Sequence, residues 1–185
     1  WFWHPTEQPQ TPEELFAIWL ASVGRGACLN LNLPPDRSGR IPAADRLALT
    51  RFRQLIAAFT AVDLARGRPV TADSTASGHP NHLTDGERDS WWAAAANTAT
   101  VTIEFAQDER LGGVRIEEAI RYGQRVSAFA VDIFRWGGWY EIVRGTTIGA
   151  QRIFRLEQTE GRALRLRILD SQAPPVLARI MAYAR

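Results

Sequence analysis

The sequence predicts a short α/β segment followed by an antiparallel β-sandwich. Two patterns predict this. Up to about residue 66, two stretches with apolar residues at helical spacing alternate with short extended runs. Beyond Gly67-Arg68-Pro69 the period falls to two, and the runs are separated by Gly-rich or acidic turns. The 185 residues are 45% hydrophobic, which suffices for a packed core and excludes wholesale disorder.

Residues 1–4 read as a strand end and residues 5–10 as a loop. Thr11-Pro12-Glu13-Glu14 marks a helix start, with Thr as N-cap, Pro at the first helical position and Glu at the third. Leu15, Phe16, Trp19, Leu20 and Val23 make its apolar stripe, and Gly24 or Gly26 ends it. Residues 28–33 alternate strictly. Leu29, Leu31 and Leu33 share one face; Cys28, Asn30 and Asn32 share the other. Such a strand lies between an apolar layer and a polar interior that must satisfy both amides. Pro34-Pro35 ends it, and Asp36 caps the turn that follows. Pro42 opens a second helix to about residue 65, with a stripe of Leu47, Leu49, Phe52, Leu55, Ile56, Phe59 and Val62. Strand, helix, strand, helix is the repeat unit of an α/β fold, and two strands alone complete neither a barrel nor an open sheet. In the second part, residues 101–105, 114–116, 126–134, 139–143, 152–156, 164–169 and 177–183 read as strands of a sandwich.

Composition narrows the partners. The formal net charge is +2 and no basic domain stands out, so nucleic acid is not an expected partner. All 22 basic residues are Arg, which with the abundant Ala reads as a genomic composition bias. No apolar run reaches membrane-spanning length, so no membrane partner is expected. A single Cys excludes an internal disulfide. The chain begins at Trp1 without Met, from which we expect the true N-terminus, and any targeting signal, to lie upstream.

Several segments, in order, carry a resemblance. Trp1-Phe2-Trp3-His4-Pro5, Ser22-Val23-Gly24-Arg25 and Leu31-Asn32-Leu33-Pro34-Pro35-Asp36-Arg37-Ser38-Gly39 resemble the end of the catalytic barrel of glycoside hydrolase family 29 α-L-fucosidases. Tyr122-Gly123-Gln124-Arg125-Val126, Gly145-Thr146-Thr147-Ile148-Gly149 and Asp170-Ser171-Gln172-Ala173-Pro174-Pro175 are similar to the galactose-binding-like jelly-roll sandwich of the same enzymes. The resemblance implies that residues 1–66 are the last strand-helix-strand-helix of a TIM-type barrel and residues 67–185 an accessory sandwich. It implies a retaining fucosidase acting on terminal α-L-fucose, with the α-1,3/1,4 branch favoured. Fucosylated glycans and the upstream barrel of the same protein would be its partners, and a periplasmic or secreted location follows. Retaining glycosidases use two carboxylates. In the family both precede the Trp-Phe-Trp-His-Pro segment, so no catalytic residue is expected in this chain, and these 185 residues alone should be inactive. A carbohydrate-binding module and a structural buttress are the alternatives.

The candidate sites follow. The resemblance implies that Trp1 lines the fucose pocket, its indole packing on the sugar's apolar face; Trp3 is the second candidate, and core packing is the competing account of both. His4 could line the same rim. For Asn30 and Asn32, a hydrogen-bond network closing the barrel is favoured over substrate contact. Glu13, Glu14, Glu117 and Glu118 lack the apolar setting that makes a catalytic acid. His79-Pro80-Asn81-His82 has too few ligands for zinc. Residues 81–92 look like a segment that holds calcium in several galactose-binding-like sandwiches, with Asp85 and Ser90 in matching positions. Arg179, however, stands about where a late acidic ligand is usual, and would repel the ion or replace its charge. No cofactor is required on this reading. Trp136 is expected to cap a hairpin and Trp139 to enter the core.

Overall fold

The computed structural model describes residues 2–185. Trp1 lies outside the described residues, and so does its assignment to a sugar pocket.

Two α-helices lead the chain: α1, Pro12–Ser22, and α2, Ala43–Phe59. The start of α1 follows from its residues. Thr11 Oγ1 accepts from Glu14 N at 3.2 Å, and Thr11 N donates back to Glu14 Oε2 at 2.8 Å, a complete capping box. Leu15, Phe16 and Phe52 are buried between the helices, and Leu29 and Leu31 pack against the same cluster. The leucine face of the extended segment therefore meets an apolar layer, as its alternation requires. The segment does not form a strand: residues 27–36 carry no ladder pairing. A strand exists through a neighbour that satisfies its backbone groups, and among the described residues none lies alongside. Asn30 and Asn32 are exposed instead of packed in a polar interior.

Helix α2 ends at Phe59, earlier than its apolar pattern suggests, and Leu47 and Val62 are exposed. Tertiary pairing overrides the helical period here. Asp63 Oδ1 accepts from Ala65 N and from Ala182 N, both at 3.0 Å, while Leu64 N donates to Ala182 O and Ala184 N to Val62 O. Residues 62–65 are thus stitched to the chain's last strand. Burial raises the Asp63 carboxyl above its ordinary value although both hydrogen bonds oppose the shift.

The remainder is an antiparallel β-sandwich. Its strands are β1 Val70–Ala72, β2 Ser77–Gly78, β3 Trp92–Ala93, β4 Ala99–Glu118, β5 Val126–Arg135, β6 Gly138–Gly145, β7 Arg152–Ser171 and β8 Val176–Ala184. Strands β4 and β7 run through both layers. The first half of β4 and the second half of β7 pair with each other, flanked by β1 on one side and by β5 and β6 on the other. The second half of β4 and the first half of β7 continue the pairing into the other layer, with β8, β3 and β2 beside them. Both strands bulge at the corner. From Glu104 to Glu109 β4 advances five residues while β7, from Ala163 to Gly161, advances two; from Leu111 to Gly113 the imbalance reverses as β7 runs from Thr159 to Arg155. Bulges bend strands and sharpen their twist. Each of these two strands had read as two shorter ones because the bulges interrupt the alternation.

Alternate residues of both layers fill one core. Val101, Ile103, Phe129, Val131, Ile133, Leu164, Leu166 and Ile168 come from one layer; Leu111, Ile116, Leu177 and Ile180 come from the other. The helices dock on the second layer. The Phe59 ring lies 5.3 Å from that of Tyr183 and so close to Gly113 that a Cβ there would collide with it. At the other end of the helical segment, Gln151 Nε2 donates to Val23 O at 2.6 Å. Trp139 is not in the core. It stands half-buried on the outer face beside Phe134, with Arg165 stacked 4.3 Å above it.

Candidate functional site

Of the residues singled out by sequence, the structure brings Trp3, His4 and Asn32 to one place. They line an open cleft of about 390 Å³ between the 2–9 segment and the start of α2, together with Phe2, Pro34 and Asp45. Trp3 is half-buried, His4 is exposed and Phe2 is 76% exposed. A partly shielded indole beside an amide, an imidazole and a carboxylate can stack on a sugar face and bond its hydroxyls. Glu7 and Asp45 are the cleft's acids. Glu7 is exposed and lacks the dry surroundings that tune a general acid.

The loop between β2 and β3 holds Asp85 and Ser90 in a hydrogen-bonded turn. Asp85 Oδ1 accepts from Glu87 N at 2.7 Å and from Ser90 Oγ at 2.9 Å. The two residues matched to calcium ligands are thus hydrogen-bonded to each other. Arg179, on β8, donates from Nη2 to Arg88 O in this loop at 3.4 Å, and its Nε stands 3.4 Å from Glu117 Oε2. Arg115 pairs with the other oxygen of Glu117. A second loop carbonyl, Asp89 O, accepts from Arg121 Nη2 at 2.6 Å. Among the described residues no three His, Cys, Asp or Glu side chains converge as a metal group. His79 and His82 serve the backbone: His79 Nδ1 accepts from Asn81 N at 3.1 Å, and His82 Nδ1 lies 2.9 Å from Trp91 O.

The sandwich motifs converge on a residue that sequence reasoning passed over. Glu118 is 2% exposed. Its Oε1 accepts from Arg125 N at 2.7 Å and Val126 N at 2.9 Å, and its Oε2 accepts from Gly149 N at 2.7 Å. The Tyr122–Val126 and Gly145–Gly149 segments are therefore held by one buried carboxylate. Gly149 takes φ +65°, a conformation that suits glycine. Arg125 Nη1 donates to Pro174 O at 2.7 Å, which ties in the third motif. These motifs fix loops within the sandwich, and no sugar-binding cluster is built from them. The available signal was the pair Glu117-Glu118 at a strand end, where two acids in an apolar strand demand partners.

Comparison with known proteins matches this architecture. Residues 69–181 match the F5/8 type C domain, and the chain belongs to that family. It is also homologous over its whole length to α-L-fucosidases of glycoside hydrolase family 29. It is 29% identical over 99% of its length to alpha-L-fucosidase 1 of Arabidopsis thaliana. Among solved structures, SpGH29 superposes over the entire chain with a TM-score of 0.96 at 34% identity. A Ruminococcus gnavus GH29 fucosidase in complex with fucose superposes over the entire chain at 0.90 and 29%. The chain spans 38% of the Arabidopsis protein, 41% of SpGH29 and 39% of the R. gnavus enzyme. No helix among the described residues is long and apolar enough to cross a membrane.

Proposed function

We propose that this chain is part of a retaining α-L-fucosidase that hydrolyses terminal α-L-fucose from glycans, with α-1,3/1,4 linkages favoured. The similarity to family 29 enzymes across the helical segment and the sandwich together carries this reading. A sandwich alone would support only a binding module. On this reading residues 1–66 end a catalytic barrel, and residues 67–185 are its accessory sandwich. The extended 28–33 segment becomes a ladder strand when barrel neighbours lie beside it, turning Asn30 and Asn32 inward. Trp1 and Trp3 border the fucose pocket. The nucleophile and the acid/base carboxylate come from the part of the enzyme beyond this chain, which fits the fraction of the relatives that it spans. The location would be periplasmic or secreted.

Hydrolysis of 4-nitrophenyl α-L-fucoside tests the reading. The whole protein is expected to turn it over, and these 185 residues alone to release nothing above buffer. Turnover by the 185 residues, or none by the whole protein on any fucoside, would contradict it. Trp3→Ala in the whole protein should raise KM about 5- to 100-fold, since a lost apolar contact is worth about 1–3 kcal/mol.

Calcium is not needed on this reading, because Arg179 supplies positive charge at the loop. The melting temperature is expected to stay within about 1 °C whether calcium or EDTA is added, a binding linkage of nearly zero. Arg179→Glu should introduce a calcium response. A rise of several degrees for the unaltered chain in millimolar calcium would instead assign Asp85 and Ser90 to a bound ion.

A further inference from the structure

We propose that the corner between the two layers carries a sugar-binding site built on Trp136, with a neutral pyranose ring of a glycan as its ligand. The site lies apart from the Trp3 cleft and shares no residue with it.

Trp136 begins the β5–β6 turn and is 81% exposed, the highest value among the exposed large hydrophobic residues described. Nothing in the turn calls for tryptophan. Its φ is +52°, a left-handed conformation that Asn or Gly adopts readily and that costs a bulky side chain free energy. The other described non-glycine residue with positive φ is Gln158, at +46°, in the bulge of β7. Both line a single cleft of about 420 Å³, with Asp108, Arg135, Glu160 and Gly161. Unfavourable backbone conformations that gather at one cleft, away from the buried core, point to a functional place.

The side chains there suit a sugar. The Arg135 guanidinium lies 4.3 Å from the Trp136 ring centroid and 5.1 Å from that of Tyr140. The two rings stand 5.8 Å apart at 82°, so the indole is held in one orientation instead of swinging freely. A fixed, solvent-facing indole offers a flat apolar surface to the C–H face of a pyranose. Asp108 and Glu160 accept hydroxyl protons, and Gln158 can both donate and accept. Glu160 is steadied by Arg110 at 3.1 Å. Two carboxylates disfavour an anionic ligand, and the stacked Arg135 disfavours a cationic one, which leaves a neutral polyol. The bulges of β4 and β7 bring Asp108 and Gln158 to this corner, so the bends of the sandwich shape the cleft.

That the ligand is a glycan rests on the fucosidase reading. The test uses the whole protein and Trp136→Asn. Asn suits the left-handed turn, so the variant should melt at the same temperature or higher. Neutral oligosaccharides ending in fucose, galactose or N-acetylglucosamine are titrated by calorimetry to about 10 mM, in a form made inert to hydrolysis by thio-linkage. The unaltered protein is expected to bind at least one of them with a Kd of about 0.1–1 mM, and the variant at least about tenfold more weakly. Glu160→Gln should weaken binding a few-fold. The proposal is overturned if the unaltered protein binds none of them, if the variant binds equally well, or if the Trp136 indole proves shielded from a soluble quencher because another part of the protein covers it. Fucoside hydrolysis without Trp136-dependent binding would sink this inference alone. Trp136-dependent binding without hydrolysis would sink the fucosidase reading and keep the site.

Discussion

Replacing Glu118 by Ala is expected to cost the sandwich about 3–5 kcal/mol, measured by urea unfolding. The change strips the acceptor from three backbone N–H groups, those of Arg125, Val126 and Gly149. Each buried donor left without a partner costs about 1–3 kcal/mol. Against a total of about 5–15 kcal/mol, that removes much of the stability. Glu118→Gln should fall in between. Its amide oxygen can keep the bonds to Arg125 and Val126, but its NH₂ group then faces the Gly149 N–H, donor to donor. If the alanine variant melts like the unaltered protein, the three motif loops are held by something other than this carboxylate.

The second large effect is expected at Asp132. Its carboxylate is 1% exposed on β5 and accepts from Arg165 Nε at 2.8 Å and from Arg167 Nε and Nη2 at 2.7 and 2.9 Å. Breaking a buried pair from one side costs about 3–5 kcal/mol. Asp132→Ala should come at the low end, because Arg167 keeps Glu141 at 2.9 Å and both guanidiniums reach solvent. Burial alone would raise the Asp132 carboxyl, but the hydrogen bonds from Arg167 and Arg165 outweigh it and hold the group below its ordinary value of 3.8. The unfolded chain therefore binds more protons than the folded one in that range. The ion-pair contribution is complete above the ordinary value and is lost as pH falls through the lower, folded one. Acid unfolding should thus begin below about pH 4 in the unaltered protein and be shallower in the alanine variant. Parallel curves for the two would show that Asp132 does not carry the acid sensitivity.

What the sequence made legible was local. The Thr11–Glu14 capping box, the leucine face of residues 29–33 and the alternating core positions of the sandwich follow from neighbours a few residues away, and the structure bears them out. What escaped depended on distant partners. Helix α2 stops early because Asp63 finds Ala182 on the last strand. Residues 28–33 have strand alternation but no ladder. Glu118 read as a strand-end or turn carboxylate without an apolar setting, because its partners lie as far off as Gly149. Trp139 was expected in the core because it continues into a strand; on β6 it faces the outer side, where Arg165 covers it. Of the candidate cleft, only the nearness of Trp3 and His4 was readable from their motif; Asn32, expected in a network closing a barrel, lines the same cleft. The cleft at Trp136 was not readable, since it depends on two bulges that no local pattern announces.

On the proposed reading, these residues belong to a retaining fucosidase whose reacting carboxylates lie elsewhere in the enzyme. Proton NMR of fucose released by the whole protein, followed from the first seconds, tests it most directly. Double displacement through a covalent glycosyl-enzyme predicts that the α-anomer forms first and then mutarotates. Initial formation of the β-anomer, or release of no fucose at all, would contradict it.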